Sequence, residues 1–365
     1  MSLQIGIVGL PNVGKSTLFN ALTHAGAQVA SYPFTTIEPN VGVVPVPDDR
    51  LDKIASIVQP EEVTPTVIRF VDIAGLVKGA SHGEGLGNQF LGHIRNVDAV
   101  AMVVRCFEAP DIPHATESLD PASDIEVINL ELALADVATV ERRIEKARAE
   151  SKGRAKEYEV ELGLLQRLHE ALSRGEGAGG VPADAQEMGI VRGYGLLTAK
   201  PQLYVANVDE QALSGGNGVV QAVEESADRT GVEVVRICAQ LEADLAEWPT
   251  DEAHAYRAEL GLQESGLQQM ISAGYRLLDL VTFFTATGGR EVRAWTVVKG
   301  ASAWEAAGKI HTDMQKGFIR AEVLPYGELV ESGSFAGARE KGLMRLEGRD
   351  YVIREGDVVH FRFNV

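Results

Sequence analysis

Cysteine is scarce: Cys106 and Cys238 are the only two in 365 residues. Two thiols so far apart make neither a disulfide framework nor a cysteine zinc site, and they fit a reducing compartment. Long apolar runs are missing as well. No stretch approaches the roughly 18 consecutive apolar residues of a membrane helix. The start, Met1-Ser2-Leu3-Gln4-Ile5, has no basic segment leading into an apolar run, so no signal peptide is expected. Positive charge is in short supply, with 34 Lys and Arg against 52 Asp and Glu and a formal net charge of -18. That excludes a uniformly basic nucleic-acid binder and leaves room only for local basic surface. The expectation is a soluble cytoplasmic protein without a membrane partner.

What remains is ordinary globular composition, 45% hydrophobic and 24% charged. The length suggests two or three domains, and no internal repeat is visible. Charge is uneven along the chain. Residues 281–365 carry 12 basic and 11 acidic side chains, and residues 1–280 carry 22 and 41. The near-neutral end therefore reads as a separate unit.

The first 105 residues alternate short apolar runs with a helical pattern. Gln4–Val8, Val67–Val71 and Ala99–Val104 read as buried strands, and Ser16–Thr23 reads as a helix. Leu203–Asn207 and Val232–Ile237 look like later strands of the same, mostly parallel sheet. Between them, Leu130, Leu134, Val137 and Ile144 recur at helical spacing, and Tyr158, Leu162, Leu165, Leu168 and Leu172 repeat the pattern. The polar turn Ser151-Lys152-Gly153-Arg154 separates the two series, which predicts an antiparallel helical hairpin inserted in the α/β domain. Its tip is basic, with Arg142, Arg143, Lys146, Arg148, Lys152, Arg154 and Lys156. A solvated helix face and a partner-binding tip are equally good accounts of that charge. Beyond residue 281, Glu291–Val298, Phe318–Val323 and Val358–Phe363 read as strands and Ala303–Ala307 as a short helix.

Chemistry is carried first by Gly9-Leu10-Pro11-Asn12-Val13-Gly14-Lys15-Ser16, which matches G-x-x-x-x-G-K-[ST] between a strand and a helix. Gly9 and Gly14 let the backbone curl until its N–H groups face phosphate oxygens. The helix that follows adds its positive end. Lys15 neutralises the β- and γ-phosphates, and Ser16 offers a hydroxyl to Mg²⁺. A chance glycine turn is a poor account of the full pattern in this setting. Phe70-Val71-Asp72-Ile73-Ala74-Gly75 adds an apolar strand ending in Asp-x-x-Gly. There the carboxylate of Asp72 holds the metal through water and the Gly75 amide senses the γ-phosphate.

Between these motifs lies Tyr32-Pro33-Phe34-Thr35-Thr36-Ile37, where one threonine would complete the Mg²⁺ shell. The residues alone do not choose between Thr35 and Thr36. The stretch Gly75–Gly87 holds five glycines, which disfavours a helix and suits a switch loop. The residue after Asp-x-x-Gly is Leu76, not the glutamine that orients attacking water in many GTPases. Hydrolysis is therefore slow or relies on another group.

A guanine site would carry Asn-Lys-x-Asp after a late strand. This chain carries Asn207-Val208-Asp209-Glu210. Glu210 is a methylene too long to pair guanine N1–H and N2–H in the same geometry. A carboxylate aimed at the adenine N1 lone pair would be repelled, whereas backbone groups near Val208 can pair the adenine N6 amine. ATP is therefore expected over GTP, with Cys238-Ala239-Gln240 as the second wall of the base pocket.

Together these motifs resemble the Obg-like ATPase (YchF) family. Glu291-Val292-Arg293-Ala294-Trp295-Thr296, Gly308-Lys309-Ile310-His311-Thr312-Asp313 and Lys316-Gly317-Phe318-Ile319 resemble its C-terminal TGS module. The likeness runs essentially end to end. It implies a P-loop NTPase fold: a G-type domain over 1–125 and 195–280, an inserted helical coiled coil over 126–194, and a β-grasp TGS domain over 281–365. It implies a ribosome-associated ATPase, on the large subunit or the 70S particle, acting as a switch in translation or stress. RNA contact would then run through local basic patches.

Carried over by position, Ser16 and Thr36 are the Mg²⁺ ligands, with Asp72 behind them. Asn12, Val13, Gly14, Lys15, Ser16 and Thr17 hold the phosphates, and Val208 meets adenine through its backbone. Phe107-Glu108-Ala109-Pro110-Asp111-Ile112-Pro113-His114 matches the family pattern that makes His114 the replacement for the missing glutamine. Neutral imidazole can position water or take its proton near neutral pH, although a plain loop histidine is the bland alternative. Asn12 sits where related P-loops bind a monovalent cation, so K⁺ stimulation is a further expectation. Trp295 and His311 read better as structural residues of the small domain. Two other accounts compete: a GTP-specific ribosome-assembly factor, and a nucleotide-sensing adaptor in which hydrolysis is incidental.

Overall fold

A computed structural model describes residues 3–24, 28–29, 40–73, 86–109, 119–152, 154–215, 218–287 and 289–364. The chain divides into two compact units, residues 1–44 with 69–274, and residues 45–68 with 275–365. Among the described residues, thirteen strands build two sheets. They are β1 (Gln4–Val8), β2 (Gln28–Val29), β3 (Asn40–Pro45), β4 (Glu62–Thr64), β5 (Val67–Asp72), β6 (Ala99–Cys106) and β7 (Gln202–Val208). They continue as β8 (Glu233–Ile237), β9 (Leu280–Thr287), β10 (Glu291–Val298), β11 (Phe318–Pro325), β12 (Arg345–Glu347) and β13 (Asp357–Phe363).

The first sheet has the order β2-β3-β5-β1-β6-β7-β8. β1 pairs in parallel with β5 and β6, β6 with β7, and β7 with β8, whereas β2 and β3 run antiparallel. All eight residues of β6 are buried. Continuous apolar runs such as this one are what a sheet covered on both faces requires. Parallel strands put their carboxyl ends on one edge, which is where ligands bind in open α/β sheets.

The helical hairpin is present as helices Pro121–Glu150 and Ala155–Ser173, both within the first unit. Pro121 occupies the first turn and Asp120 caps it, accepting from the Ser123 N–H at 3.1 Å, so the first helix starts ahead of the expected residue 126. On the second helix, Leu165, Leu168 and Leu172 are buried as expected, with Tyr158 and Leu162 packed beside them. On the first, the buried stripe runs through Ile128, Leu132, Val140 and Ala147, and Leu130 is 51% exposed. Of the expected series, Val137 and Ile144 pack against the same core, and Leu130 is the position that faces out. Asp136 fixes the hairpin from inside. Its buried carboxylate accepts from the Leu197 N–H at 2.9 Å and from Thr198 N–H and Oγ1 at 2.8 and 2.7 Å.

The second sheet has the order β12-β11-β13-β9-β10-β4. β9 and β10 form an antiparallel hairpin, and helix Ala303–Ile310 follows, opened by a capping box between Ser302 and Glu305. β13 then returns beside β9 in parallel. One face of this sheet buries Phe283, Val323 and Phe361 against Ala303, Ala306 and Ala307. The other buries Phe284, Val292 and Leu324 against Leu51 and Ile54.

The last two residues correct the expected boundaries. Residues 45–68 belong with the terminal unit, not with the nucleotide-type domain. Helix Asp49–Val58 supplies Leu51 and Ile54, and β4 pairs in parallel with β10. The terminal unit also begins ahead of residue 281, at Tyr275, whose hydroxyl hydrogen-bonds Thr282 Oγ1 at 2.5 Å. Among the described residues no helix is long and apolar enough to cross a membrane.

Candidate nucleotide site

The carboxyl ends of β1, β6, β7 and β8 surround a cleft of about 590 Å³. The phosphate loop leaves β1 at Gly9. A Cβ there would stand 2.5 Å from the Val103 carbonyl oxygen, so only glycine lets the turn pass β6. Gly14 has φ +91°, and a Cβ on it would overlap Asn207 Nδ2. Asn12 lies in the left-handed region at φ +63°, a conformation asparagine accepts more readily than most residues.

Lys15 opens helix Lys15–His24, and its ammonium donates to the carbonyls of Gly9 at 3.0 Å and Leu10 at 2.6 Å. Burial lowers its pKa to about 8, with the Asp72 carboxylate opposing that shift. Asp72, the last residue of β5, is pushed the other way: burial raises its pKa, with Lys15 and then Asn40 pulling it back. The two charges therefore face a common, poorly hydrated region, as a site for a phosphate tail and its metal requires. Ser16 and Thr17 line the cleft.

Asn207 joins the loop to the opposite wall. Its Nδ2 donates to the Val13 carbonyl at 2.9 Å, and its Oδ1 accepts from the Ala239 N–H at 3.0 Å. Both polar ends of this buried side chain are engaged by protein. Val208, Glu210, Cys238 and Ala239 line the far end of the cleft. Burial raises the Cys238 thiol, and it pushes Cys106 up to about 12, so neither sulfur is a ready nucleophile. Asp209 accepts from the Ala212 N–H at 2.9 Å, just ahead of the short helix Gln211–Ser214. Glu210 Oε1 accepts from the Tyr256 hydroxyl at 2.8 Å.

Cys238, Ala239 and Gln240 form the expected second wall. Sequence reasoning missed its continuation, Leu241 and Asp244 on helix Ala239–Leu245. Phe107 and Glu108 line the cleft from the end of β6. Arg105 holds that segment: its guanidinium donates to the carbonyls of Phe107 and Ala109, both at 3.3 Å, and stacks 4.8 Å from the Phe107 ring centre. A buried arginine inside an otherwise apolar strand was the available signal. Thr35, Thr36, Gly75, Leu76 and His114 lie outside the described residues.

The donors fit a hard cation. Ser16 and Asp72 offer oxygen only, which suits Mg²⁺. Among the described residues no cluster of three or more His, Cys, Asp or Glu side chains forms a self-sufficient metal cage. Mg²⁺ held by few protein ligands together with phosphate oxygens is consistent with that donor set.

Comparison with known proteins bears on this site. The family model described as "50S ribosome-binding GTPase" matches residues 4–152. The YchF-GTPase C-terminal model, described as "Protein of unknown function (DUF933)", matches residues 280–364. The chain is 53% identical over 367 residues to the "Ribosome-binding ATPase YchF" of Bacillus subtilis, covering 100% of both. It is 52% identical over 365 residues to the protein of that name in Haemophilus ducreyi, again covering 100% of both. The solved structure of the Schizosaccharomyces pombe YchF GTPase superposes with a TM-score of 0.88 at 34% identity, covering 99% of this chain and 98% of that one.

Proposed function

Since this chain belongs to the YchF family, we propose that it is a ribosome-associated, cytoplasmic P-loop ATPase, a nucleotide-dependent switch in translation or stress that takes ATP in preference to GTP. That it is a nucleoside-triphosphate hydrolase follows from the family and the P-loop domain. The names of its relatives divide between ATPase and GTPase, so the base must be argued from the cleft.

The observation that carries the ATP reading is Asn207. Its Oδ1 is engaged by Ala239 and one of its two Nδ2 protons by Val13, and the remaining proton can serve only a ring nitrogen that both purines share, so discrimination at this wall falls to backbone groups around Val208. A backbone N–H and C=O suit the N1 acceptor and N6 donor of adenine. The guanine reader, a lysine and a short carboxylate, is replaced by Val208 and Glu210.

The roles of the other residues come from their motifs and from the resemblance. The backbone of Gly9–Ser16 and the Lys15 ammonium bind and orient the phosphates. Ser16, Thr36 and Asp72 would hold Mg²⁺, which when bound offsets charge on the β- and γ-oxygens. His114 positions water or accepts its proton, in place of the glutamine absent at Leu76. Asn12 is where the resemblance puts K⁺. The basic surface of the hairpin is the candidate RNA contact, through salt-dependent pairing with phosphates.

Equilibrium titration with ATP and GTP in Mg²⁺, repeated with Na⁺ replacing K⁺, tests this. Tighter binding of ATP is expected. A clear preference for GTP would refute the base assignment. Loss of hydrolysis with full retention of cellular function would favour the adaptor account.

A further inference from the structure

Glu210 stands where a guanine-reading site carries its aspartate, and it lines the cleft. A free carboxylate there, even one methylene longer, would remain an acceptor for guanine. In this protein it is not free: Tyr256 donates its phenol proton to Glu210 Oε1 at 2.8 Å. The tyrosine is held from outside the cleft. It lies on helix Thr250–Glu259, and the neighbouring Arg257 pairs with the buried Glu242 at 3.2 Å. Glu242 in turn accepts from the Gly266 N–H at 2.6 Å. Trp248 packs on the phenol ring, with centroids 5.5 Å apart and planes at 57°. None of these groups belongs to the phosphate loop.

We propose that Tyr256 is a specificity-determining positioning residue, whose hydroxyl restrains the Glu210 carboxylate and so denies guanine its paired acceptor. This rests on the ATP-preferring reading and supplies a physical cause for it. Guanine presents N1–H and N2–H side by side and needs both oxygens of one carboxylate. The phenol takes one lone-pair site of Oε1 and fixes the direction of the carboxylate, so guanine must turn it away from Tyr256 to bring both oxygens onto N1–H and N2–H, and the loss of that bond weakens binding. Adenine has no donor at N1 or C2 and asks nothing of this carboxylate. The same hydrogen bond also restrains negative charge that would repel the adenine N1 lone pair. The contact therefore acts chiefly against the wrong base.

The test is binding of hydrolysis-resistant ATP, GTP and ITP analogues, with Mg²⁺, to the full chain and to Tyr256→Phe, Glu210→Ala and the double variant. Phenylalanine keeps the ring against Trp248 and removes only the hydroxyl. Tyr256→Phe is expected to raise GTP affinity about tenfold relative to ATP, with ATP changing less than about twofold. ITP, which lacks the N2 amine, gains less than GTP. In the Glu210→Ala background the tyrosine substitution leaves the ratio unchanged. Glu210→Ala alone also leaves it unchanged, and this reads the proposal independently of how Tyr256→Phe folds. The proposal is overturned if Tyr256→Phe fails to move the ratio in a protein that prefers ATP, or if the shift persists without Glu210. It is equally overturned if Glu210→Ala alone abolishes the discrimination. A parent protein that prefers GTP would instead sink the ATP reading beneath it.

Discussion

The Asn207 side chain donates to the Val13 carbonyl, 194 positions earlier in the chain, at 2.9 Å. That bond ties the wall of the base end to the phosphate loop. Its other end accepts from the Ala239 N–H at 3.0 Å, so one amide spans three segments. Asn207→Ala should leave a buried carbonyl and a buried N–H without partners. The expected loss is about 2–3 kcal/mol of stability together with weaker nucleotide binding. Denaturant unfolding with and without ATP reads both effects. An unchanged midpoint would mean that water replaces the amide at no cost.

Gly14 faces the same amide. Gly14→Ala places a methyl against Asn207 Nδ2 on a backbone at φ +91°. Asn207 is anchored at both ends, so the loop must yield. Strain of about 1–3 kcal/mol should appear as a roughly 5–150-fold loss of ATP affinity. Isothermal titration measures it. Wild-type affinity in the alanine variant would show that the cradle tolerates the displacement.

Lys15 gives the site a pH dependence of definite sign. Burial lowers its pKa to about 8, and only its charged form neutralises phosphate. Below that pH the group is already protonated and affinity is flat. Above it, binding must recover a proton, so affinity falls, by about tenfold between pH 7 and pH 9. Proton uptake on binding at pH 9, seen as buffer-dependent heat, is the accompanying signature. Flat affinity across that range would place the Lys15 pKa well above 9.

We propose that His114 acts on water in place of the glutamine missing at Leu76. His114→Ala is expected to slow single-turnover hydrolysis about 100-fold while ATP affinity changes less than about threefold. Hydrolysis at the parental rate would remove His114 from the mechanism.

The phosphate site was legible because its chemistry is local. Eight consecutive residues, Gly9–Ser16, specify a turn, a charge and a hydroxyl in one order. β1, β6 and β7 were legible for a related reason: strands buried on both faces need near-continuous apolar runs, whereas β5 and β8 were read from their β-branched residues. What escaped depends on partners distant in sequence. Thr64 Oγ1 meets Glu291 Oε1 across 227 positions, and nothing in residues 62–64 announces that pairing. Tyr256 escaped similarly, as one aromatic on a polar helix whose partner, Glu210, lies 46 positions away. The first helix of the hairpin was recognised, with Val137 and Ile144 on its packed side, but Leu130 faces out.

The assignment of residues 45–68 to the terminal unit can be tested through Ile54. This side chain is fully buried, in a core with Phe284, Val292 and Leu324. Each unit has its own core, so thermal unfolding is expected to show two transitions. Only one of them binds nucleotide, and ATP should raise that transition by mass action and leave the other in place. Ile54→Ala removes three carbons from the second core and leaves a cavity, at a cost of about 3 kcal/mol. It should lower the transition that ATP does not move and leave ATP affinity intact. A fall confined to the ATP-responsive transition would return helix Asp49–Val58 to the nucleotide-binding unit, where its position in the sequence first placed it.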